Sequence, residues 1–172
     1  MFQSFYPDKY LDSAYTIDFE KEYDHGIRGV IFDVDNTLVP HGAPADERSI
    51  ALFKKLKRLG IGTLLLSNNK EPRVKSFSEA VGSLYIYKAG KPSVRSYKKA
   101  MDMLGTDLET TLFVGDQLFT DVWGANRTGI RSYLVKPIHP KEEIQIVLKR
   151  YLEKIVLFFY KRKKKKCIEK NR

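Results

Sequence analysis

The sequence predicts an α/β fold, a three-layer sandwich around a parallel sheet of about five strands. Three observations predict it. Short runs rich in Val, Ile, Leu and Phe alternate with helical patterns, as successive βα units do. The runs are apolar at consecutive positions, as strands covered on both faces are. Polar residues then gather where four of the runs end. At 172 residues and 19.9 kDa the chain has room for one well-buried core and not for two.

In chain order, residues 1–27 form an N-terminal arm whose Phe2, Phe5, Tyr6 and Tyr10 either make a membrane-facing lip or, as is more usual for aromatic anchors, pack the arm against the body. "GVIFDV" (29–34) is the first strand. Residues 46–59 carry Ile50, Phe53, Leu56 and Leu59 at helical spacing, and Gly60 stops that helix. "GTLLLS" (62–67) and "LYIY" (84–87) are the next strands. Residues 93–104 repeat the helical spacing with Val94, Tyr97, Met101 and Leu104 before Gly105, and "TLFVG" (111–115) and "SYLV" (132–135) complete the sheet. The catalytic unit is expected over 28–140, an amphipathic helix over 141–160 and a basic tail over 161–172.

Composition bounds the function. Hydrophobic residues at 42% and charged residues at 30% exclude a disordered or fibrous chain. Cys167 is the sole cysteine, so no intrachain disulfide forms, and a reducing, cytoplasmic setting is expected. The start, "MFQSFYPDKYLDS", reads as no secretory signal. Residues 161–172 hold eight Lys or Arg against one Glu and so carry +7 of the net +10. Such a block is either a solvated end or a contact for an anionic surface.

Before it, Ile144, Val147, Leu148, Tyr151, Leu152, Ile155, Phe158 and Phe159 fall on one helical face. Residues 144–152 are expected to cover the sheet. The aromatic end, 155–160, is the better membrane candidate, since "IVLFFY" followed by Lys and Arg suits a bilayer interface and is too short to span. Peripheral contact with the inner face of the cell membrane through Ile155 to Arg172 follows from that reading. The tail lacks the interleaved aromatics of a single-strand platform, which argues against nucleic acid. His25, His41 and His139 stand apart, and no metal site is inferred from them.

In an open parallel sheet, ligands bind beyond the carboxyl ends of the strands. There the chain delivers Asp33 and Asp35, Ser67 with Asn68 and Asn69, Lys88 to Lys91, and Asp116 with Gln117. Asp33 and Asp116 are hard oxygen ligands of the kind Mg²⁺ takes, and Asp121 either adds a ligand or caps a helix. Ser67 and Lys91 are donors for a phosphoryl group. Asp33 can attack phosphorus, and Asp35, two residues on, can protonate the leaving alcohol and then deprotonate water.

The set "DVDNT", "LLLSNN", "KAGKPS" and "VGDQLFTD" resembles the four motifs of the haloacid dehalogenase-like (HAD) phosphohydrolases over roughly residues 28–136. The resemblance implies a Rossmann-like fold, an aspartyl-phosphate intermediate and a Mg²⁺ cofactor. It implies that Asp33 is the nucleophile, that Asp35 is the general acid/base and a metal ligand through its carbonyl, and that Thr37 positions the loop. It also implies that Ser67, with Asn68 beside it, and Lys91 hold phosphate, and that Asp116 and Asp121 are acidic metal positions. An acid at Asp35 favours phosphate-ester hydrolysis over ATPase chemistry.

The intervals from Asp33 to Ser67 and from Ser67 to Lys91 leave no room for a cap domain, so the site is expected to be open to large substrates. The capless length, "FYPDKY" and "NN" resemble the YqeG-type branch of subclass III, whose relatives include phosphatidylglycerophosphate phosphatases. That branch suggests an anionic lipid phosphate as substrate. The alternatives are a soluble sugar- or nucleotide-phosphate phosphatase, completed by a second subunit in a homo-oligomer, and a non-catalytic RNA- or ribosome-binding protein on the same fold.

Overall fold

Gly29–Phe32, β2, is a run of buried apolar residues behind one glycine, and burial on both faces puts it in the middle of the sheet. The computed structural model describes residues 3–139 and 144–170, with side chains for 3–139 and 151–165. With β1 (Lys9–Leu11), β3 (Gly62–Leu66), β4 (Leu84–Ile86), β5 (Thr111–Gly115) and β6 (Arg131–Val135), the strand order is β1-β6-β5-β2-β3-β4 and every pairing is parallel. The sheet of about five strands expected from the sequence has six. The extra one, β1, is only "KYL" and carries no apolar run; it is recruited by the backbone of β6, with Lys9 opposite Tyr133 and Asp8 exchanging hydrogen bonds with Ser132.

Alternation along the strands sorts two cores. Val30, Phe32, Leu65, Leu112 and Val114 face one way, onto α1 (Phe19–Asp24), α2 (Glu47–Arg58) and α3 (Glu71–Val81). Ile31, Leu64, Leu66 and Phe113 face the other, onto α4 (Val94–Leu104) and α5 (Trp123–Thr128). Each fully buried Leu, Ile or Phe contributes about 1.5–3 kcal/mol relative to exposure. The helices begin where capping chemistry allows: Asp46 accepts from Ser49 N while Ser49 Oγ accepts from Asp46 N, a reciprocal capping box. Gly105, at φ 65°, ends α4.

The connection from β2 to β3 holds α2 and that from β3 to β4 holds α3, and neither carries a cap module. The chain leaves β4 on one side of β2 and returns to β5 on the other. The crevice beside β2 is therefore the switch point where α/β sheets bind ligands.

The last helix, α6 (Ile144–Lys170), continues through the residues expected to form a tail. No Gly or Pro interrupts 144–170, Lys and Arg are good helix formers, and cations suit a helix C-terminus. Tyr151 and Leu152, expected to cover the sheet, are instead exposed. The helix docks through Glu153, Val156, Tyr160 and the half-buried Leu157, because Glu153 accepts from Leu118 N at 2.8 Å and the Tyr160 ring meets Tyr6 edge-on at 5.5 Å. The side chains of Ile144, Val147 and Leu148, and Cys167, lie outside the described side chains.

The arm packs on the body. Phe5 meets Phe119 and Trp123 at 5.2 and 5.4 Å, Tyr10 joins the cluster around Leu118 and Val122, and Asn126 donates to the carbonyls of Ser4 and Tyr6. Phe2 lies outside the described residues. No described helix is long and apolar enough to cross a membrane.

Candidate active site

Asp33 follows the last residue of β2, and its amide still bonds Val114 O of β5 at 2.9 Å, so the carboxylate is fixed by the sheet itself. The chain then turns sharply. Asn36 adopts φ 65°, a left-handed conformation that Asn tolerates and most residues do not, and donates its amide to Val39 O. That turn presents Thr37 back toward Asp33.

Lys91 is the hub. Its Nζ lies 2.6 Å from Asp33 Oδ1 and 2.7 Å from Asp121 Oδ1, with all three groups buried. Thr37 Oγ1 sits 3.2 Å from Asp33 Oδ2 and 3.1 Å from Asp116 Oδ1, bridging two carboxylates with one hydroxyl. Asp33, Asp116 and Asp121 each offer an oxygen within 4.8 Å of the others, the one such acidic cluster among the described residues.

Burial, together with the neighbouring Asp121, pushes the Asp33 carboxyl up to about 6 despite Lys91. Burial alone would lower the Lys91 ammonium, but Asp121 and Asp33 overcome it and hold the cation well above its ordinary value.

Asp121, foreseen as a ligand or a cap, does more than either. Its Oδ2 accepts from the amides of Asp116 and Gln117 at 3.1 Å each while Oδ1 holds Lys91. It rides a single π-helical turn, Leu118–Val122, fastened from two sides. Tyr97 Oη lies 3.1 Å from the carbonyls of Thr120 and Asp121, and Glu153 of α6 caps Leu118 N. Gly124 makes room for Tyr97, since a Cβ there would sit 2.5 Å from its ring.

Asp35 turns the other way. Its carboxylate accepts from Gly42 N at 2.8 Å, Arg73 Nη2 at 2.9 Å and Asn69 Nδ2 at 3.2 Å. Burial opposes ionisation, but these donors outweigh it and hold the carboxyl below its ordinary value.

Ser67 is buried at the end of β3, its Oγ accepting from Asn69 N at 3.1 Å. Asn68, expected at the phosphate, spends its side chain on the backbone of Lys91: Oδ1 accepts from Lys91 N at 2.8 Å and Nδ2 donates to Lys91 O at 3.3 Å. It clamps the segment that delivers the lysine.

Tyr97, Gly115, Gly124, Arg73 and Glu153 were not foreseen as parts of the site. Of these only "VGD" carried a local signal, a glycine directly before an acid at a strand end. A cleft of about 700 Å³ opens at the opposite, amino-terminal end of β3 and β4, lined by Phe53, Ile61, Thr63, Leu84, Met103 and Leu104. None of the site residues lines it.

Comparison with known proteins gives the family and the fold. Residues 88–143 match the family model described as HAD-hydrolase-like. The chain is 38% identical over 160 residues to YqeG of Bacillus subtilis (strain 168), named a probable phosphatase, covering 92% of this chain and 93% of that protein. It is 28% identical over 162 residues to phosphatidylglycerophosphate phosphatase 1, chloroplastic/mitochondrial, of Arabidopsis thaliana, covering 85% of this chain and 44% of that longer protein.

Among solved structures, the cobalt-bound deoxy-D-mannose-octulosonate 8-phosphate phosphatase (YrbI) of Haemophilus influenzae shares the fold. The TM-score is 0.50 at 17% identity, over 66% of this chain and 80% of that one.

Proposed function

The chain belongs to the HAD-like hydrolases, in the branch of the YqeG-type phosphatases, and from that premise we propose that it is a Mg²⁺-dependent phosphomonoesterase that works through an aspartyl phosphate on Asp33, with an anionic lipid phosphate, phosphatidylglycerophosphate, as substrate. The observation that carries the chemistry is the hub: one buried lysine 2.6 Å from Asp33 and 2.7 Å from Asp121, with Asp116 tied to Asp33 through Thr37.

The donor set fits Mg²⁺. Three buried carboxylates with oxygens within 4.8 Å of one another face a single buried lysine, so ionised they leave negative charge that a hard divalent cation offsets. Asp33 and Asp116 would hold it, with Asp121 in support and the Asp35 carbonyl beside them. When bound, the ion neutralises charge that would otherwise repel a phosphate dianion.

The chain's own residues do the rest. Asp33 attacks phosphorus, the ester P–O bond breaks, and Asp35 delivers a proton to the departing alkoxide. Water then attacks the phosphoryl group, Asp35 takes a proton back, and phosphate leaves with Asp33 restored. Lys91 steadies the nucleophile and, with Ser67, the phosphoryl oxygens. The form of Asp35 that accepts a proton is the one Gly42, Arg73 and Asn69 stabilise; the donor half of its cycle needs Arg73 to loosen when substrate arrives.

The lipid reading is supported by the likeness to a protein named for phosphatidylglycerophosphate. The uncapped crevice adds to that support. The test is Mg²⁺-dependent phosphate release from phosphatidylglycerophosphate in mixed micelles, beside a panel of soluble sugar and nucleotide phosphates, with Asp33→Asn as control. Lipid-selective release is expected; release from soluble esters alone keeps the mechanism and removes the lipid.

A further inference from the structure

We infer that α6 is a docking surface for an anionic lipid bilayer, engaged through the side of the helix turned away from the protein. Tyr151, Leu152, Ile155, Phe158 and Phe159 are between 44% and 63% exposed, five large apolar side chains on one helix. At 3.6 residues per turn they fall within an arc of about 120°, and Val156, Tyr160 and Glu153 occupy the opposite side. A helix apolar on two opposite sides lies between two apolar layers. One is the protein, reached through Val156 and Tyr160 against Leu118, Val122, Leu134 and Tyr6. The other must be supplied from outside.

Charge selects what supplies it. Lys154 and all five residues from Lys161 to Lys165 are exposed, and the only acid among the described side chains of this helix, Glu153, is buried and turned to Leu118 N. Arg162 extends the apolar arc by one turn and Lys165 borders it. Apolar side chains continuous with cations match acyl chains beneath anionic headgroups.

A second copy of the helix would bring its own cations against these, and a nucleic acid would leave the apolar arc in water. The surface is also tied to the chemistry. Through Glu153, α6 holds the turn that carries Asp121, so a docked helix stands next to the site.

This deepens the lipid-phosphate reading and rests on it for its physiological sense, but its test does not use catalysis. Full-length protein is cosedimented with phosphatidylcholine vesicles with and without phosphatidylglycerol. Comparison is with the triple variant Ile155→Ser, Phe158→Ser, Phe159→Ser and the double variant Arg162→Gln, Lys165→Gln. All five side chains are exposed, so the variants fold. Wild-type protein is expected to bind only the anionic vesicles and to release with salt. The triple variant is expected to bind at least roughly tenfold more weakly, since each phenyl ring left in water forfeits that much, and the double variant to release at lower salt.

Equal binding to neutral vesicles, or unchanged binding by both variants, overturns the proposal. So does a wild-type dimer that the triple variant makes monomeric without any vesicle binding. Turnover of phosphatidylglycerophosphate, with a water-soluble phosphate ester as the check that the enzyme is active, separates the two readings: vesicle binding without that turnover keeps the surface and removes the substrate, and turnover without binding does the reverse.

Discussion

Gly115 stands directly against Asp121: a Cβ at position 115 would lie 2.6 Å from the Asp121 carboxyl carbon, closer than any real side chain approaches. Asp121 can hold Lys91 only because the last residue of β5 has no side chain. Gly115→Ala is therefore expected to push Asp121 off Lys91 and lower kcat/KM by about 100-fold, the scale of a misplacement of about 1 Å in a catalytic set. Circular dichroism should show the fold retained. Full activity in this variant would mean that Asp121 does not position the lysine.

Lys91→Met removes the cation between two buried carboxylates. Breaking a buried pair from one side costs about 3–5 kcal/mol, and urea unfolding at neutral pH without metal should show a loss on that scale. Adding Mg²⁺ is expected to restore part of it. No Mg²⁺ effect on the variant's midpoint would argue against metal at Asp33 and Asp116.

Asp33→Asn reads the pH dependence. In the metal-free protein burial raises this carboxyl from 3.8 to about 6, so between those values the folded state holds a proton that the unfolded chain has released. Stability therefore falls as pH rises through that window. The Asn variant lacks this loss, and its melting temperature should exceed that of wild type at pH 7.5, with the gap closing toward pH 4. Activity should vanish. A variant no more stable than wild type at pH 7.5 would contradict the raised Asp33 carboxyl.

Asp46→Ala separates stability from chemistry. The capping box at the start of α2 is worth about 1 kcal/mol, and its loss should appear as a lower denaturation midpoint with kcat/KM unchanged. Ser49 N–H holds Asp46 below its ordinary value against the burial that raises it. The contribution is therefore present above pH 3.8 and lost as pH falls through the lowered value.

Much of this was legible in the chain because β2, β3 and β5 are apolar at consecutive positions and α2 and α4 keep a clean helical period. Strand-end logic placed Asp33, Lys91 and Asp116 at one edge. What local pattern cannot carry is contact across distance. β1 depends on β6 rather than on its own three residues, and Asp121's partners depend on a missing side chain at 115 and a hydroxyl at 97. Arg73 reaches Asp35 from another helix. In α6 the periodicity marked one apolar stripe, of which Tyr151, Leu152, Ile155, Phe158 and Phe159 are described and exposed, but Val156, Leu157 and Tyr160 make a second, and sequence alone does not say which of the two meets the protein.

The pairing of β1 with β6 also sets a timetable. Asp8 bonds Ser132 across 124 residues of chain. Synthesis is vectorial, at roughly 5–20 residues per second, so the first strand made waits for the last to leave the ribosome. Until then the arm can rest on residues 118–126, through Phe5 and the Asn126 amide, and afterwards it is further latched by Tyr160 from a helix made later still. The nascent chain can assemble β2 to β5 early, but β1 joins the sheet only after β6 has emerged. Without α6 the arm would lose the Tyr160 ring from Tyr6 and rest on β6, Phe119 and Trp123.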